Sequence, residues 1–80
     1  MNVAGMKLVI VEDDADFGAV LARAMRKRGF EVALAHDALE ARSVADRFIP
    51  SHAVVDLKLP GESGLKVVEQ LAARTPPPAI

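Results

Sequence analysis

Leu8-Val9-Ile10-Val11 is an unbroken apolar run, rich in β-branched residues, that ends directly in three acids, Glu12-Asp13-Asp14. A run without polar alternation fits a strand buried on both faces, and such strands belong to parallel sheets covered by helices on both sides. The segment that follows has helical spacing. From Ala15 to Arg28 apolar residues recur at Phe17, Val20, Leu21, Ala24 and Met25, one stripe of a helix. Asp14 suits its N-cap, Asp16 its first turn, Arg26-Lys27-Arg28 its last turn, and Gly29 a left-handed stop. Gly18 weakens such a helix by about 1 kcal/mol relative to Ala, so compensating packing is expected there.

The alternation repeats twice. Phe30, Val32 and Leu34 alternate with Glu31, Ala33 and Ala35 as a second strand, and Asp37 caps a helix to about Phe48 that Ile49-Pro50 ends. Ala53-Val54-Val55-Asp56-Leu57 reads as a third buried strand. After a Pro60-Gly61 turn, a helix runs from Ser63-Gly64 through Arg74, with Leu65, Val68 and Leu71 or Ala72 on its apolar side. Pro76-Pro77-Pro78 offers two readings, a polyproline ligand or a connection, and its place after a helix stop favours the connection to a strand beginning at Ala79-Ile80. The order β-α-β-α-β-α predicts an α/β fold, a parallel sheet with right-handed crossovers and helices on both faces.

Composition narrows the function. The 80 residues carry ten Lys and Arg against eleven Asp and Glu, so no generally basic, phosphate-seeking surface is present. With no cysteine there is no disulfide, thiolate zinc site or thiol nucleophile. The apolar runs are far shorter than the roughly 20 residues of a membrane span, and Met1–Gly5 lacks the pattern of a secretion signal, so a cytoplasmic domain is expected.

Ligands of open parallel sheets bind beyond the carboxyl ends of the strands. Two strands end in acids here, the first at Glu12-Asp13-Asp14 and the third at Asp56. Each has an ordinary explanation, an acidic helix start for the first and a strand-end turn residue for the second. As neighbours they would crowd carboxylates into one crevice, costly without a cation, and oxygen-only donors select a hard one such as Mg²⁺.

Leu8-Val9-Ile10-Val11-Glu12-Asp13-Asp14, Ala53-Val54-Val55-Asp56-Leu57-Lys58-Leu59-Pro60-Gly61 and Ser63-Gly64-Leu65 together resemble the receiver domains of two-component response regulators. The similarity runs from Lys7 onward and spans about the first two-thirds of such a domain, giving a partial receiver at residues 7–80 after an N-terminal extension at 1–6. It implies a flavodoxin-like sheet in which the first strand lies between the second and third. It also implies that Asp56 is the phosphoacceptor for a sensor histidine kinase, and that Glu12, Asp13, Asp56 and the backbone carbonyl of Lys58 hold Mg²⁺. Pro60 and Gly61 would shape the loop over the site, and Gly64 would admit the third helix close to the backbone. Receivers catalyse only their own phosphorylation and dephosphorylation, so no separate enzyme activity is expected.

The chain departs from the family pattern. Receivers have a Thr or Ser ending the fourth strand and a Lys ending the fifth, whereas lysines here stand only at 7, 27, 58 and 66, and the one threonine is Thr75. A receiver truncated in this way would leave a strand edge unpaired and part of the first helix's stripe uncovered, so self-association, strand exchange or a tightly held fragment is expected. A degenerate receiver serving only as a binding or dimerisation module is the alternative function. An aspartyl phosphatase, with Asp-x-Asp after its first strand, fits poorly because Glu12 stands where its nucleophile belongs.

Leu21-Ala22-Arg23-Ala24-Met25 and Arg28-Gly29-Phe30-Glu31-Val32 further resemble regulators of the photosynthesis and redox-response type, which join a receiver to a short helix-turn-helix. That implies a parent protein controlling transcription, with no direct nucleic-acid binding by these residues. The basic cluster Arg23, Arg26, Lys27 and Arg28 is read as complementing the helix dipole rather than as a docking patch. His36 and His52 are read as ordinary strand-flanking histidines, and Ser51 and Ser63 as having no base beside them.

Overall fold

The computed structural model describes residues 5–80, and most of the expected N-terminal extension lies outside the described residues. The elements are β1 (Lys7–Val11), α1 (Ala15–Lys27), β2 (Glu31–Ala35), α2 (Ala38–Phe48), β3 (His52–Val55) and α3 (Gly64–Ala72). All three strands are parallel in the order β2-β1-β3, as the resemblance implies. The sheet starts to widen beyond β3. Ala79 bridges His52 in parallel, with Ala53 donating to the Ala79 carbonyl at 2.8 Å and Ala79 donating to that of Ser51 at 2.9 Å.

The central strand is buried on both faces, Val9, Ile10 and Val11 being fully covered. Leu8 and Ile10 meet Ala22, Leu21 and Met25 of α1 together with Val32 and Leu34 of β2. Val9 and Val11 face the opposite layer, where Ala38, Ala41, Val44 and Ala45 of α2 join Val67 and Leu71 of α3. Small alanines bring α2 close to the sheet. Each fully buried Val or Ile contributes roughly 1.5–3 kcal/mol, so these few side chains hold most of a thin core.

The helices start where the sequence says. Asp14 accepts from the Phe17 amide at 3.0 Å and Asp37 from the Glu40 amide at 2.8 Å, each satisfying an otherwise unpaired donor. Arg26 and Arg28 donate to the Val32 and Ala24 carbonyls at 3.1 Å, so part of the basic cluster ties down the end of α1. Gly29 has φ 101°, the left-handed stop.

Four expectations need correction. The third strand ends at Val55 rather than Leu57, because Asp56 already turns toward α3, and Leu57 is exposed. Helix α3 ends at Ala72 and buries Gly64, Val67 and Leu71, leaving Leu65 exposed and Val68 at the margin. Its contact line is set by the glycine, which lets the helix sit lower and rotates Leu65 outward. On α1 the line meeting the sheet is Gly18-Ala22-Met25 with Leu21 beside it, while Phe17 and Val20 are 53% and 66% exposed. Finally, Gly18 has no tight packing that would require a glycine. A methyl group there would lie 3.5 Å from Leu34 Cδ2 and 3.8 Å from Glu12 Cβ, ordinary contact distances.

Candidate functional site

The carboxyl ends of β1 and β3 deliver the acids to one place. The Glu12 amide donates to Ala35 and the Asp56 amide to Val11, both at 2.9 Å, so each acid is the first residue past the ladder that joins its strand to a neighbour. Carboxylate oxygens of Glu12, Asp13 and Asp56 lie within 4.8 Å of one another. Glu12 and Asp56 are half-buried, and Asp13 is exposed above them.

Local bonds fix two of the three. Glu12 Oε2 accepts from the Asp14 amide at 3.2 Å, and Asp56 Oδ1 accepts from the Lys58 amide at 3.0 Å. Charge is unevenly shared as a result. The Asp14 amide acts to lower the Glu12 carboxyl, but burial and the neighbouring Asp56 and Asp13 outweigh it and hold the group above its ordinary value. Asp56 is held below its own, chiefly by the Lys58 amide, with Glu12, Asp13 and the Lys58 charge adding to the effect against burial. A proton entering the cluster therefore goes to Glu12 before Asp56, and Asp56 stays an anion.

Three oxygen donors converging without nitrogen or sulfur fit a hard divalent cation, which would also relieve their mutual repulsion. The cluster thus gathers Glu12, Asp13 and Asp56, with Lys58 tied in through its amide.

The loop after Asp56 is held by α3. The Gly64 amide donates to the Leu57 carbonyl at 3.1 Å, and Ser63 Oγ caps the helix by accepting from the Leu65 amide at 3.1 Å. A Cβ on Gly64 would collide with the Asp56 carbonyl oxygen and lie 2.5 Å from Leu57 Cα. Gly61 has φ 78°, a turn conformation that side chains disfavour. Pro60 and Gly61 border a shallow depression of about 420 Å³ lined also by Asp37, Ala38, Leu39, Arg42 and Glu62. None of the three clustered carboxylates lines it. Arg42 spans from α2 to the loop and to α3, donating to Glu62 at 3.3 Å and Gln70 at 3.1 Å, a tie that sequence reasoning missed.

One minor reading changes. Ser51 does have an imidazole beside it, His52 Nδ1 at 2.9 Å from Oγ, because the two residues share the turn into β3. The Ser51 hydroxyl also accepts from the Lys7 amide at 2.9 Å and lies 3.1 Å from the Lys7 carbonyl, so it ties the start of β1 to the entry of β3. His36 Nδ1 lies 2.9 Å from Glu40 Oε1, an exposed pairing that belongs to the start of α2. Among the described residues, no helix is long and apolar enough to cross a membrane.

A strand-end acid cluster on a β2-β1-β3 parallel sheet defines a class, and comparison with known proteins agrees. The profile of the response regulator receiver domain matches residues 8–80, and the chain belongs to that family. Its curated relatives include the photosynthetic apparatus regulatory protein RegA of Cereibacter sphaeroides, 44% identical over 73 residues, 91% of this chain and 40% of that protein. The acid tolerance regulatory protein ActR of Rhizobium meliloti is 46% identical over 67 residues, 84% of this chain and 34% of that protein. This chain therefore spans well under half the length of either relative. Among solved structures, the signal receiver domain of a modulated diguanylate cyclase from Desulfovibrio desulfuricans G20 superposes with TM-score 0.84 at 30% identity, covering 94% of this chain and 62% of that one. A sensor protein from Polaromonas sp. JS666 gives TM-score 0.82 at 27% identity, covering 91% and 58%. Both the fold implied by the resemblance and the similarity to photosynthesis-type regulators are borne out.

Proposed function

We propose that Asp56 is a phosphoacceptor that takes a phosphoryl group from the phosphohistidine of a sensor kinase. The observation that carries this is the position of Asp56: first residue past β3, beside Glu12 and Asp13, with its charge held by the Lys58 amide. One Asp56 carboxylate oxygen attacks phosphorus, the phosphorus–nitrogen bond breaks, and its electron pair stays on the imidazole. The product is an acyl phosphate on Asp56. Glu12, Asp13, Asp56 and the Lys58 carbonyl would hold Mg²⁺, which supplies charge neutralisation for the incoming phosphoryl group. Of Glu12 and Asp56, Glu12 takes up a proton first, which leaves Asp56 as the ionised nucleophile. Pro60 and Gly61 shape the loop above the site, and Gly64 keeps the start of α3 against it.

The similarity to RegA and ActR supports a place in a cytoplasmic transcriptional regulator, as the signal-receiving part. The test is incubation with Mg²⁺ and acetyl phosphate followed by intact mass, with Asp56→Asn as control. Gain of one phosphoryl group, lost in the variant, is the expected result. No gain in a folded sample overturns the reading and favours the second one, a receiver acting by association alone. That second reading keeps the same fold as a binding or dimerisation module, and self-association or strand exchange is proposed on either reading.

A further inference from the structure

The loop that follows Asp56 is closed at its base. Lys58 and Ser63 face one another as an antiparallel bridge, and just outside it the Gly64 amide bonds the Leu57 carbonyl. Lys58 is the residue through which this loop meets the acids. Its amide donates to Asp56 Oδ1 at 3.0 Å, and its carbonyl is among the groups proposed to hold Mg²⁺. Whatever fixes the returning arm at Glu62 and Ser63 therefore fixes Lys58 as well.

The outgoing arm is anchored by Leu59, which packs against the core. Packing does not hold the rest. Pro60 and Gly61 are exposed, and the open depression separates Pro60, Gly61 and Glu62 from Asp37, Ala38 and Leu39 at the start of α2. Arg42 crosses that gap. Its Nη1 donates to Glu62 Oε2 at 3.3 Å and to Gln70 Oε1 of α3 at 3.1 Å. The Arg42 and Glu62 side chains are 40% and 28% exposed, so the pair is less screened than one standing free in solvent. Among the described residues no other ion pair reaches the loop.

We infer that Arg42 is a positioning residue for the site around Asp56: by bonding Glu62 it holds the Lys58–Ser63 loop, and with it the Lys58 amide and carbonyl, against Asp56. The inference rests on the reading of Glu12, Asp13 and Asp56 as a metal and phosphoryl site. Arg42 bonds none of these three acids, so its effect passes through the loop backbone. The loop offers a donor to the metal and does not carry the attacking oxygen. Loss of Arg42 should therefore appear in Mg²⁺ affinity and not in the rate at saturating Mg²⁺. The sign is informative too. Removal of a positive charge would by its field alone tighten cation binding, whereas release of the loop weakens it. A second tie supplies a control, because Asp46 of α2 pairs with Arg74 just past α3 and joins the same two helices away from the loop.

The test is Mg²⁺ titration calorimetry of the whole chain, with the rate of phosphorylation by acetyl phosphate followed against Mg²⁺ concentration and circular dichroism confirming each fold. Arg42→Ala and Glu62→Ala should each weaken Mg²⁺ binding about threefold, the scale of a partly exposed ion pair. The Mg²⁺ concentration for half-maximal rate should rise by the same factor. The double variant should be no weaker than either single one, since both residues act through one bond. Asp46→Ala should keep the parent's affinity. Unchanged or tighter binding in Arg42→Ala overturns the inference, as does a multiplied loss of about ninefold in the double variant. An equal loss in Asp46→Ala overturns it by assigning the effect to the docking of α3. A lower saturating rate without a shift in Mg²⁺ dependence is the mark of a merely structural role and also overturns it. A parent chain that neither binds Mg²⁺ nor gains a phosphoryl group overturns the site itself, and the inference with it.

Discussion

Gly18→Ala should stabilise this protein, although the glycine is buried against the sheet at the end of the first turn of α1. Two contributions act in the same direction. An interior helical glycine costs about 1 kcal/mol relative to alanine, mostly through the freedom of the unfolded chain. The added methyl is also removed from water, worth up to about 0.8 kcal/mol for complete burial. Against these stands the risk of overpacking, and the distances decide it. The new carbon would meet Leu34 Cδ2 at 3.5 Å and Glu12 Cβ at 3.8 Å, normal contacts with side chains rather than backbone. The net gain is then about 1–1.5 kcal/mol. For a domain of this size that raises the melting temperature by roughly 4–10 °C. Urea unfolding followed by circular dichroism, with the slope unchanged and the midpoint raised, measures it directly. A lower midpoint would refute the reasoning, since it would mean that α1 cannot accommodate even a methyl at its closest approach to Leu34. Because the methyl touches only the Glu12 stem, Mg²⁺ affinity should be the same in both proteins.

The remaining perturbations separate the core from the site. Gly64→Ala places a carbon against the Asp56 carbonyl and Leu57 Cα, backbone that cannot yield locally, so a loss of at least about 2–3 kcal/mol is expected in urea unfolding; a neutral result would show that α3 can lift away freely. Ile10→Ala empties a fully buried central position and should cost about 2–5 kcal/mol, enough to unfold much of a small domain, as far-ultraviolet circular dichroism would show. Glu12 binds its proton more tightly when folded than at its ordinary value of 4.5, so its ionisation disfavours folding as pH rises through that higher value. Glu12→Gln should therefore gain stability over the parent at pH 7 and lose that advantage below about pH 4, with the opposite trend in paired unfolding curves counting against the cluster. Mg²⁺ at ten times its dissociation constant should stabilise the folded chain by about 1.4 kcal/mol, reversibly with chelator and not in Asp13→Asn. Equal stabilisation of the variant would remove Asp13 from the ligand set.

Those features that were legible in the sequence are local or set by strand ends. Asp14 and Asp37 announce their helices because a cap needs only its own next three residues. Glu12, Asp13 and Asp56 could be paired only once the receiver resemblance implied that the first and third strands are neighbours, since neighbouring parallel strands put their carboxyl ends side by side. The face of α3 was not legible. Leu65 with Val68 and Ala72 has the same spacing as Gly64 with Val67 and Leu71, and a glycine contributes no hydrophobic signal to the row it belongs to. The breadth of the α1 stripe misled in a similar way, since Phe17 and Val20 are as apolar as the residues that meet the sheet. Arg42 joins Glu62 and Gln70 across 20 and 28 residues, and no pattern along the chain marks such a tie. His52 beside Ser51 depended on the bend entering β3, which residue type alone does not specify.

The absence of a side chain at Gly64 has a mechanical consequence. Side chains are compliant, and a contact made through them absorbs small displacements by changes of rotamer. Here the first turn of α3 rests on the peptide that follows Asp56 with only backbone between them, joined by the Gly64 to Leu57 hydrogen bond. Nothing soft separates the two. A tilt of α3 shifts the carbonyl of Asp56, and a strain placed on that carbonyl tilts α3 in return. The helix and the acidic crevice therefore form a single rigid lever, whose far end is the exposed surface of α3.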